Sequence, residues 1–282
     1  MTACHVERQR DICSSTCRSL AALGMTVASF ALPVGSLEAQ GSARMRGALA
    51  DPNEFYMPRA WQGNPVYDGR FTFVRIKYRG AGHGVGWAHD YPRAESHFMR
   101  IMREITTINP FIEAGPIVGS TVLALDDPEL SKYPVAYLSE PGGWRPNDAE
   151  VLGLRQYLGK GGFVIVDDFD GGSMNRDWFH FAEQVKRVVP ELRLMEVPQT
   201  HPIFDSFFRI DLKALVSYGS GGTPGYFGLF RDNDPAKRIM MIVNFNQDMG
   251  DYWEWSDRGF NVVPTNEAYK LGVNYLIYAL TH

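Results

Sequence analysis

The sequence predicts an α/β fold, a three-layer sandwich in which helices cover both faces of a mostly parallel β-sheet. Short apolar runs alternate with segments of helical periodicity, and two of these runs flank one well-capped helix to form a strand–helix–strand unit. Such a unit joins parallel strands through a right-handed crossover. The 282 residues, 45% hydrophobic and 21% charged, are enough for one large domain of this class.

The first 39 residues are typical of a secretory signal peptide. Three arginines precede an uncharged run over residues 19–37, and a possible cleavage site follows Ala39. The sequence therefore predicts an exported protein, periplasmic or extracellular. A start at Met25 or an uncleaved N-terminal membrane anchor are the alternatives. All three cysteines precede the apolar run, so the mature chain would have no disulfide, no zinc–thiolate site and no cysteine nucleophile.

The charge of the chain argues against polyanionic partners. The formal net charge is −4, and no basic run of five or more residues occurs. Neither feature supports binding to nucleic acid or to anionic lipid. We therefore predict no nucleic-acid partner.

The domain itself is predicted to occupy residues 70–282, after an extended Pro/Gly-rich arm over residues 40–69. "FTFVRIKY" (71–78) alternates as a strand does, and a Gly-rich loop follows it. Pro92 fits the first turn of a helix with an apolar face at helical spacing. That face consists of Phe98, Ile101, Met102 and Ile105.

The predicted strand–helix–strand unit lies in the middle of the chain. "YPVAYLSE" (133–140) is a short apolar strand, and the helix over 147–158 begins with a capping box of Asn147 and Glu150. Two glycines end this helix, and the apolar strand 163–166 follows at once. Its four apolar residues predict a strand buried on both faces of the sheet.

The second half of the domain is predicted to add two helices and two strands. Ser173 caps a helix that Pro190 ends, and Thr265 caps a last helix running to about Ala279. Between them, "LRLMEV" (192–197) and "RIMMIVNF" (238–245) are predicted strands. No internal repeat is visible in the sequence.

The main candidate site lies where the 163–166 strand runs into Asp167 and Asp168. Ligands of open α/β sheets bind beyond the carboxyl ends of the strands. A carboxylate pair there could hold a divalent cation or share a proton. Alternatively, one aspartate caps the next turn and the other is solvated. Adjacent strand residues point to opposite faces, so both serve one site only if the strand has already turned.

Other candidate residues lie in loops near predicted strand ends. Asp90 and Tyr91 belong to "WAHDYP" (87–92), where Asp90 alone could also be a simple helix-terminus acid. His201 precedes a proline and is either an acid–base group or a hydrogen-bonded structural residue. Trp144 and Asp248 are predicted as outer contributors. The segment around Asp248 could equally be an acidic turn over packed tryptophans.

Several motifs together resemble the domain-of-unknown-function 4159 family over about residues 70–282. They are "WAHDYP" (87–92), "YLGKGGFVIVDDF" (157–169), "THPIF" (200–204), the run from Asn244 through Asp248 to Glu254, and "LGVNYLIYALTH" (271–282). The resemblance implies a flavodoxin-like fold similar to the class I glutamine amidotransferase and trehalose-utilisation-protein superfamily. In those relatives an elbow after the corresponding strand carries a catalytic cysteine or histidine. Here Asp167 or Asp168 fills that position, so the chain is not expected to be a glutamine amidotransferase.

The leading functional hypothesis is an exported domain that binds a small polar ligand or a protein partner at the strand-end face. The residues predicted to line that face are Asp90, Tyr91, Asp167, Asp168 and His201, with Trp144 and Asp248 as outer contributors. One alternative is a hydrolase in which Asp168 is nucleophile or general base, His201 is its acid–base partner and a divalent cation assists. Another is a scaffold of an envelope complex. No cofactor beyond a divalent cation is predicted.

Overall fold

The computed structural model describes residues 61, 63–79, 86–112, 120–169, 176–215 and 223–282. The predicted signal peptide, most of the predicted arm, the Gly-rich loop and Ser173 lie outside these ranges. Within them the chain has an α/β fold with a seven-stranded, mostly parallel mixed sheet flanked by helices. The predicted fold class is confirmed.

The sheet has the strand order β2-β1-β3-β4-β7-β6-β5. Neighbouring strands from β2 to β7 are parallel, whereas β6 is antiparallel to both β5 and β7. The order of the first five matches the doubly wound sheets typified by flavodoxin, whose ligand crevice opens between β1 and β3. The strands are β1 (Phe73–Ile76), β2 (Ser120–Leu123), β3 (Val135–Ser139), β4 (Phe163–Asp167), β5 (Leu194–Glu196), β6 (Gly225–Phe230) and β7 (Ile239–Phe245).

Five α-helices lie within the described ranges. They are α1 (Arg93–Ile105), α2 (Asp148–Gly159), α3 (Arg176–Val188), α4 (Met249–Glu254) and α5 (Val262–Thr281). Four of them correspond to predicted helices, although α5 begins after an Asn261 cap rather than at Thr265. The short α4 was not predicted, nor were β2 and β6. None of these helices combines the length and apolarity that crossing a bilayer requires.

The two faces of the sheet are covered by different helices. On one face, Phe163 and Ile165 of β4 pack in a core with α1, α4 and α5. On the other face, Val164 and Val166 pack in a second core with α2 and α3. All four side chains are at most 1% exposed, which explains the continuous apolar run of β4. The sandwich therefore has the three layers that the sequence predicts.

The capping box predicted for α2 is confirmed. The Asn147 side chain accepts a hydrogen bond from the Glu150 backbone N–H, and the Glu150 carboxylate accepts one from the Asn147 N–H, both at 2.9 Å. These two bonds satisfy backbone donors that the first helical turn leaves free. The helix start is thereby fixed close to the end of β3.

A buried ion pair joins β1 to α1 next to the strand ends. Arg75 Nε lies 2.6 Å from Glu95 Oε1, and neither side chain is exposed. The same guanidinium donates through Nη1 to the carbonyl oxygens of Trp87, at 3.3 Å, and His89, at 3.0 Å. Because a charge buried in this way holds its partners at fixed positions, Arg75 determines where the turn carrying His89 lies.

Candidate functional site

Acidic residues with unusual backbone geometry surround the carboxyl ends of the central strands. Glu140 directly follows β3 with φ 51°, and Asp168 directly follows β4 with φ 67°. Asp90, in the turn before α1, has φ 63°. Left-handed backbone at a non-glycine residue costs on the order of 1 kcal/mol and accumulates at functional sites. The turns direct these side chains into the crevice between the strand ends.

His89 lies between two of these carboxylates. Its Nδ1 is 3.0 Å from Asp168 Oδ2 and 3.1 Å from Asp90 Oδ1. Ser139 Oγ donates a further hydrogen bond of 3.1 Å to Asp168 Oδ2. A single ring N–H can serve only one carboxylate well, and here its geometry suits Asp168. Asp90 is therefore left without its own donor.

Asp90 is the most unusual residue of the site. Its side chain is fully buried, yet neither carboxylate oxygen accepts a hydrogen bond. Oδ2 packs directly on the backbone of α4, where a Cβ atom added to Gly250 would lie only 2.1 Å away. Buried carboxylates without donors are costly, because the desolvation of the charge is not compensated.

One face of α4 adds three more acids. Asp248, Asp251 and Glu254 follow each other at intervals of three, which places them on one side of the helix. Asp248 also caps α4 by accepting the Asp251 N–H at 2.8 Å. Three sets of side chains hold their ligand atoms within 4.8 Å of one another: His89 with Asp90 and Asp168, His89 with Asp248 and Asp251, and Asp90 with Asp251 and Glu254.

Burial and mutual repulsion perturb the titration of these groups. The pKa of Asp90 is raised to about 8 and that of Glu140 to about 9, mainly by burial; the negative charge of Asp168 contributes to both shifts, and His89 opposes them. Burial also raises the pKa values of Asp248, Asp251 and Glu254. Burial lowers the pKa of His89, but the hydrogen bond to Asp168 and the close negative charges of Asp168 and Asp90 outweigh burial and raise that pKa overall. The site thus has a large excess of acids over cations.

Asp167 has a different environment from Asp168. Its Oδ2 accepts hydrogen bonds from Tyr137 Oη and from the backbone N–H groups of Met249 and Gly250, at 2.7, 2.7 and 3.2 Å. Its Oδ1 accepts one of 2.9 Å from Asn244 Nδ2. These hydrogen bonds use both oxygens, so Asp167 connects β4 to β3, β7 and α4 beside the acidic groups.

A comparison with protein families matches residues 72–280 to the family described as domain of unknown function (DUF4159). That match spans most of the chain. The chain belongs to the DUF4159 family. The comparison of this DUF4159 protein with curated proteins gives no match.

The DUF4159 domain brings three of the predicted site residues together. Asp90, Asp168 and Asp248 all contribute to the acidic groups described above. The Asp167 carboxylate lies in the same region, but both of its oxygens already accept hydrogen bonds. Asp167 and Asp168 have different surroundings because the chain turns at Asp168, whose φ is left-handed.

The structure places two other predicted site residues, Trp144 and Tyr91, outside the acidic groups. Trp144 is fully buried, with its ring packed on Phe181, so it belongs to the core of the DUF4159 domain. The Tyr91 ring is half-buried beside Trp87, and its phenol is near Glu95 and Ser120, the first residue of β2. The Tyr91 side chain therefore points towards the amino-terminal end of β2, away from the carboxyl ends of the strands.

The predicted pairing of Asp168 with His201 is also wrong on geometry. The His201 ring packs on Tyr278, whose hydroxyl accepts the backbone N–H of Ile239, the first residue of β7. Asp168 donates its backbone N–H to Gln247, beyond the last residue of β7. The two side chains are thus separated by about the length of a seven-residue strand, roughly 20 Å.

His89, Asp251 and Glu254 belong to these acidic groups but are not among the residues that the sequence predicts to line the site. His89 could have been added from the sequence, since it directly precedes the predicted site residue Asp90. The other two lie on α4, a helix of six residues. Their intervals of three would have indicated one shared face, but six residues are too few for a periodicity to be recognised.

Proposed function

We propose that the DUF4159 domain binds a divalent metal ion at the carboxyl ends of its strands, and through that ion a small polar ligand. The observation that carries the proposal is the buried Asp90 carboxylate, both oxygens of which lack a hydrogen-bond donor. A cation is the simplest partner for such a group, because it offsets the cost of burying the charge.

The composition of the site supports a first-row divalent metal. His89, Asp90 and Asp168 offer one imidazole nitrogen and carboxylate oxygens within 4.8 Å of one another. Such a mixed set suits ions such as Mn²⁺ or Zn²⁺, whereas Ca²⁺ prefers oxygen alone. His89 Nδ1 lies 3.1 Å from Asp90 Oδ1 and 3.0 Å from Asp168 Oδ2, so the three groups already converge on one point.

A small ligand suits this site better than a protein partner. Asp90 and Asp168 are only 6% and 9% exposed, while the His89 side chain is 38% exposed. A macromolecular surface could contact the exposed His89 side chain but not the buried carboxylates of Asp90 and Asp168. A small molecule could enter past His89 and complete the coordination of the ion.

We also infer that the domain is exported and has an amidotransferase-like fold without amidotransferase chemistry. The signal-peptide pattern of residues 1–39 supports export. The left-handed turn at Asp168, directly after β4, supports the comparison with the elbow of that superfamily. A carboxylate at this position cannot form the thioester that glutamine hydrolysis by a cysteine requires.

The test is metal binding by the protein purified without chelator. Native mass spectrometry and calorimetric titration with MnCl₂ should report a bound ion. Asp90→Asn and Asp168→Asn should each weaken its binding by at least about tenfold, since loss of even an indirect ligand contact has that effect. Asp205→Asn, at an exposed site far along the chain, is the control and should bind as the wild type does. Equal binding by all four proteins, or none at millimolar ion, would refute the proposal.

A further inference from the structure

The acidic groups around Asp90 divide into two sets that can be filled at the same time. The first contains His89, Asp90 and Asp168, and the second contains Asp90, Asp251 and Glu254. They share only Asp90. The third set consists of His89, Asp248 and Asp251. It shares His89 with the first set and Asp251 with the second. A neutral imidazole offers one lone pair to one ion, so this set competes with the other two.

We propose that the site holds two divalent ions bridged by the Asp90 carboxylate. This inference rests on the proposed function, since it adds a second ion to the one proposed there. Asp90 suits the bridging role because both of its oxygens are free of hydrogen bonds and buried, each available to one ion. Paired metal ions in proteins lie about 3.5–4 Å apart, a distance that one carboxylate spans.

Charge favours two ions over one. Asp90, Asp168, Asp251 and Glu254 carry four negative charges when ionised, and two divalent ions neutralise them. A single ion would leave two of these four negative charges without a divalent counter-ion. The arginine that pairs with the second set is Arg93, whose Nε lies 3.9 Å from Glu254 Oε1 and whose Nη2 pairs at 2.6 Å with Asp257. Arg93 thus lies at the rim and leaves the interior of the second set uncompensated.

The pair of ions defines a ligand class. His89 and Glu254, one from each set, are the most accessible members, with side chains 38% and 18% exposed. Ligands would therefore approach past His89 and Glu254. A small oxyanion such as phosphate, which places one oxygen on each ion, fits two adjacent cations better than a neutral molecule does.

Mn²⁺ titration followed by low-temperature electron paramagnetic resonance tests the inference. The full chain should bind two Mn²⁺ per molecule and give an exchange-coupled spectrum. Glu254→Gln should reduce the stoichiometry to one and abolish the coupling, while Asp168→Asn should weaken the first site by at least about tenfold. Glu183→Gln, an exposed glutamate on α3, is the matched control and should retain both ions. Inorganic phosphate should bind to the Mn²⁺-loaded wild type and at least about tenfold more weakly to Glu254→Gln.

The outcomes separate the two proposals. A single bound Mn²⁺ that depends on Asp168 would overturn the bridged pair and leave the proposed function standing. Two uncoupled ions would overturn the bridging role of Asp90. No bound ion would refute both proposals. Since Glu254 lies at the rim, its variant also remains informative if Asp90→Asn does not fold.

Discussion

Asp167 and Asp168 are adjacent in the chain, yet their carboxylates have unlike surroundings. Asp167 accepts four hydrogen bonds and joins three strands to α4, whereas Asp168 faces His89 and Ser139 at the crevice. The sequence identified both as strand-end acids, but it could not tell them apart. Their difference comes from one backbone angle, the left-handed φ of Asp168, which no apolar pattern encodes.

Asp167→Asn should destabilise the domain far more than Asp168→Asn. An asparagine at 167 replaces one acceptor oxygen by an NH₂ group that faces existing donors, and hydrogen bonds to a charged group are worth about 1.5–3 kcal/mol each. We expect a loss of about 2–4 kcal/mol in the free energy of unfolding for Asp167→Asn and less than about 1 kcal/mol for Asp168→Asn. Urea unfolding of the two variants measures this directly. Equal losses would contradict the structural role of Asp167.

His201 gives a pH dependence that is independent of the acidic site. Its Nδ1 accepts the Ile203 backbone N–H at 3.2 Å, so the folded state needs the neutral ring. Burial, with a smaller contribution from His282, lowers the pKa of His201. The unfolded chain, with a His pKa of about 6.5, therefore binds more protons in this range. The stabilisation is complete above that pH and is lost as the pH falls through it.

His201→Asn should flatten this dependence. Asparagine also caps the turn over 202–204 through its side-chain oxygen, but it does not titrate. Between pH 8 and pH 5.5 the melting temperature of the wild type should fall by more than that of the variant. Thermal denaturation of both proteins at the two pH values is the measurement. A larger fall in the variant would contradict the assigned direction.

Secondary-structure elements were predictable where the local pattern is long or bounded by clear signals. The helix α2 has a capping box and two glycines after it, and β4 has an uninterrupted apolar run. By contrast, β2 has four residues, β6 contains Gly225 and Gly228, and α4 has six residues. Elements this short form because neighbouring elements supply their hydrogen bonds and packing, so their own residues carry little signal.

Two glycines of α2 should respond oppositely to alanine. A Cβ atom on Gly153 would lie 2.0 Å from the backbone oxygen of Leu125, whereas Gly159 has nothing within 4 Å. Gly159→Ala should therefore gain about 0.5–1 kcal/mol of stability from helix propensity. Gly153→Ala should lose about 1–3 kcal/mol, because α2 must move away from the residues after β2. Chemical denaturation of the pair is the test, and a stabilised Gly153→Ala would show that the two elements are not in close contact.

At the scale of the whole molecule, the candidate site depends on the order of the strands. Asp90 follows β1, Asp168 follows β4, and Asp251 lies beyond β7, yet all three meet in one crevice. The sequence indicated that several strands end in acids, so it predicted the correct end of the sheet. It did not predict which acids become neighbours, because periodicity is local and does not specify strand order. The Asp168–His201 pairing failed for this reason.

Metal should stabilise the whole domain if the proposed site exists. At a free Mn²⁺ concentration of 100 times Kd, binding to the folded state alone adds about 2.7 kcal/mol to the free energy of unfolding. For a domain of this size that corresponds to a rise of about 5–10 °C in melting temperature. A chelator should reverse the rise, and Asp90→Asn, with binding at least about tenfold weaker, should show at most about half of it. Thermal denaturation with and without Mn²⁺ measures this rise in melting temperature, and its absence would contradict the proposed site.

Gly250 gives the acidic site a property that charge alone does not explain. The Asp90 carboxylate occupies the place where any other residue would carry its Cβ atom. A single methyl group at this position would therefore displace the Asp90 carboxylate while leaving every charge in the domain unaltered. A larger residue at this position is therefore expected to change the site without changing its net charge, which separates the shape of the site from its electrostatics.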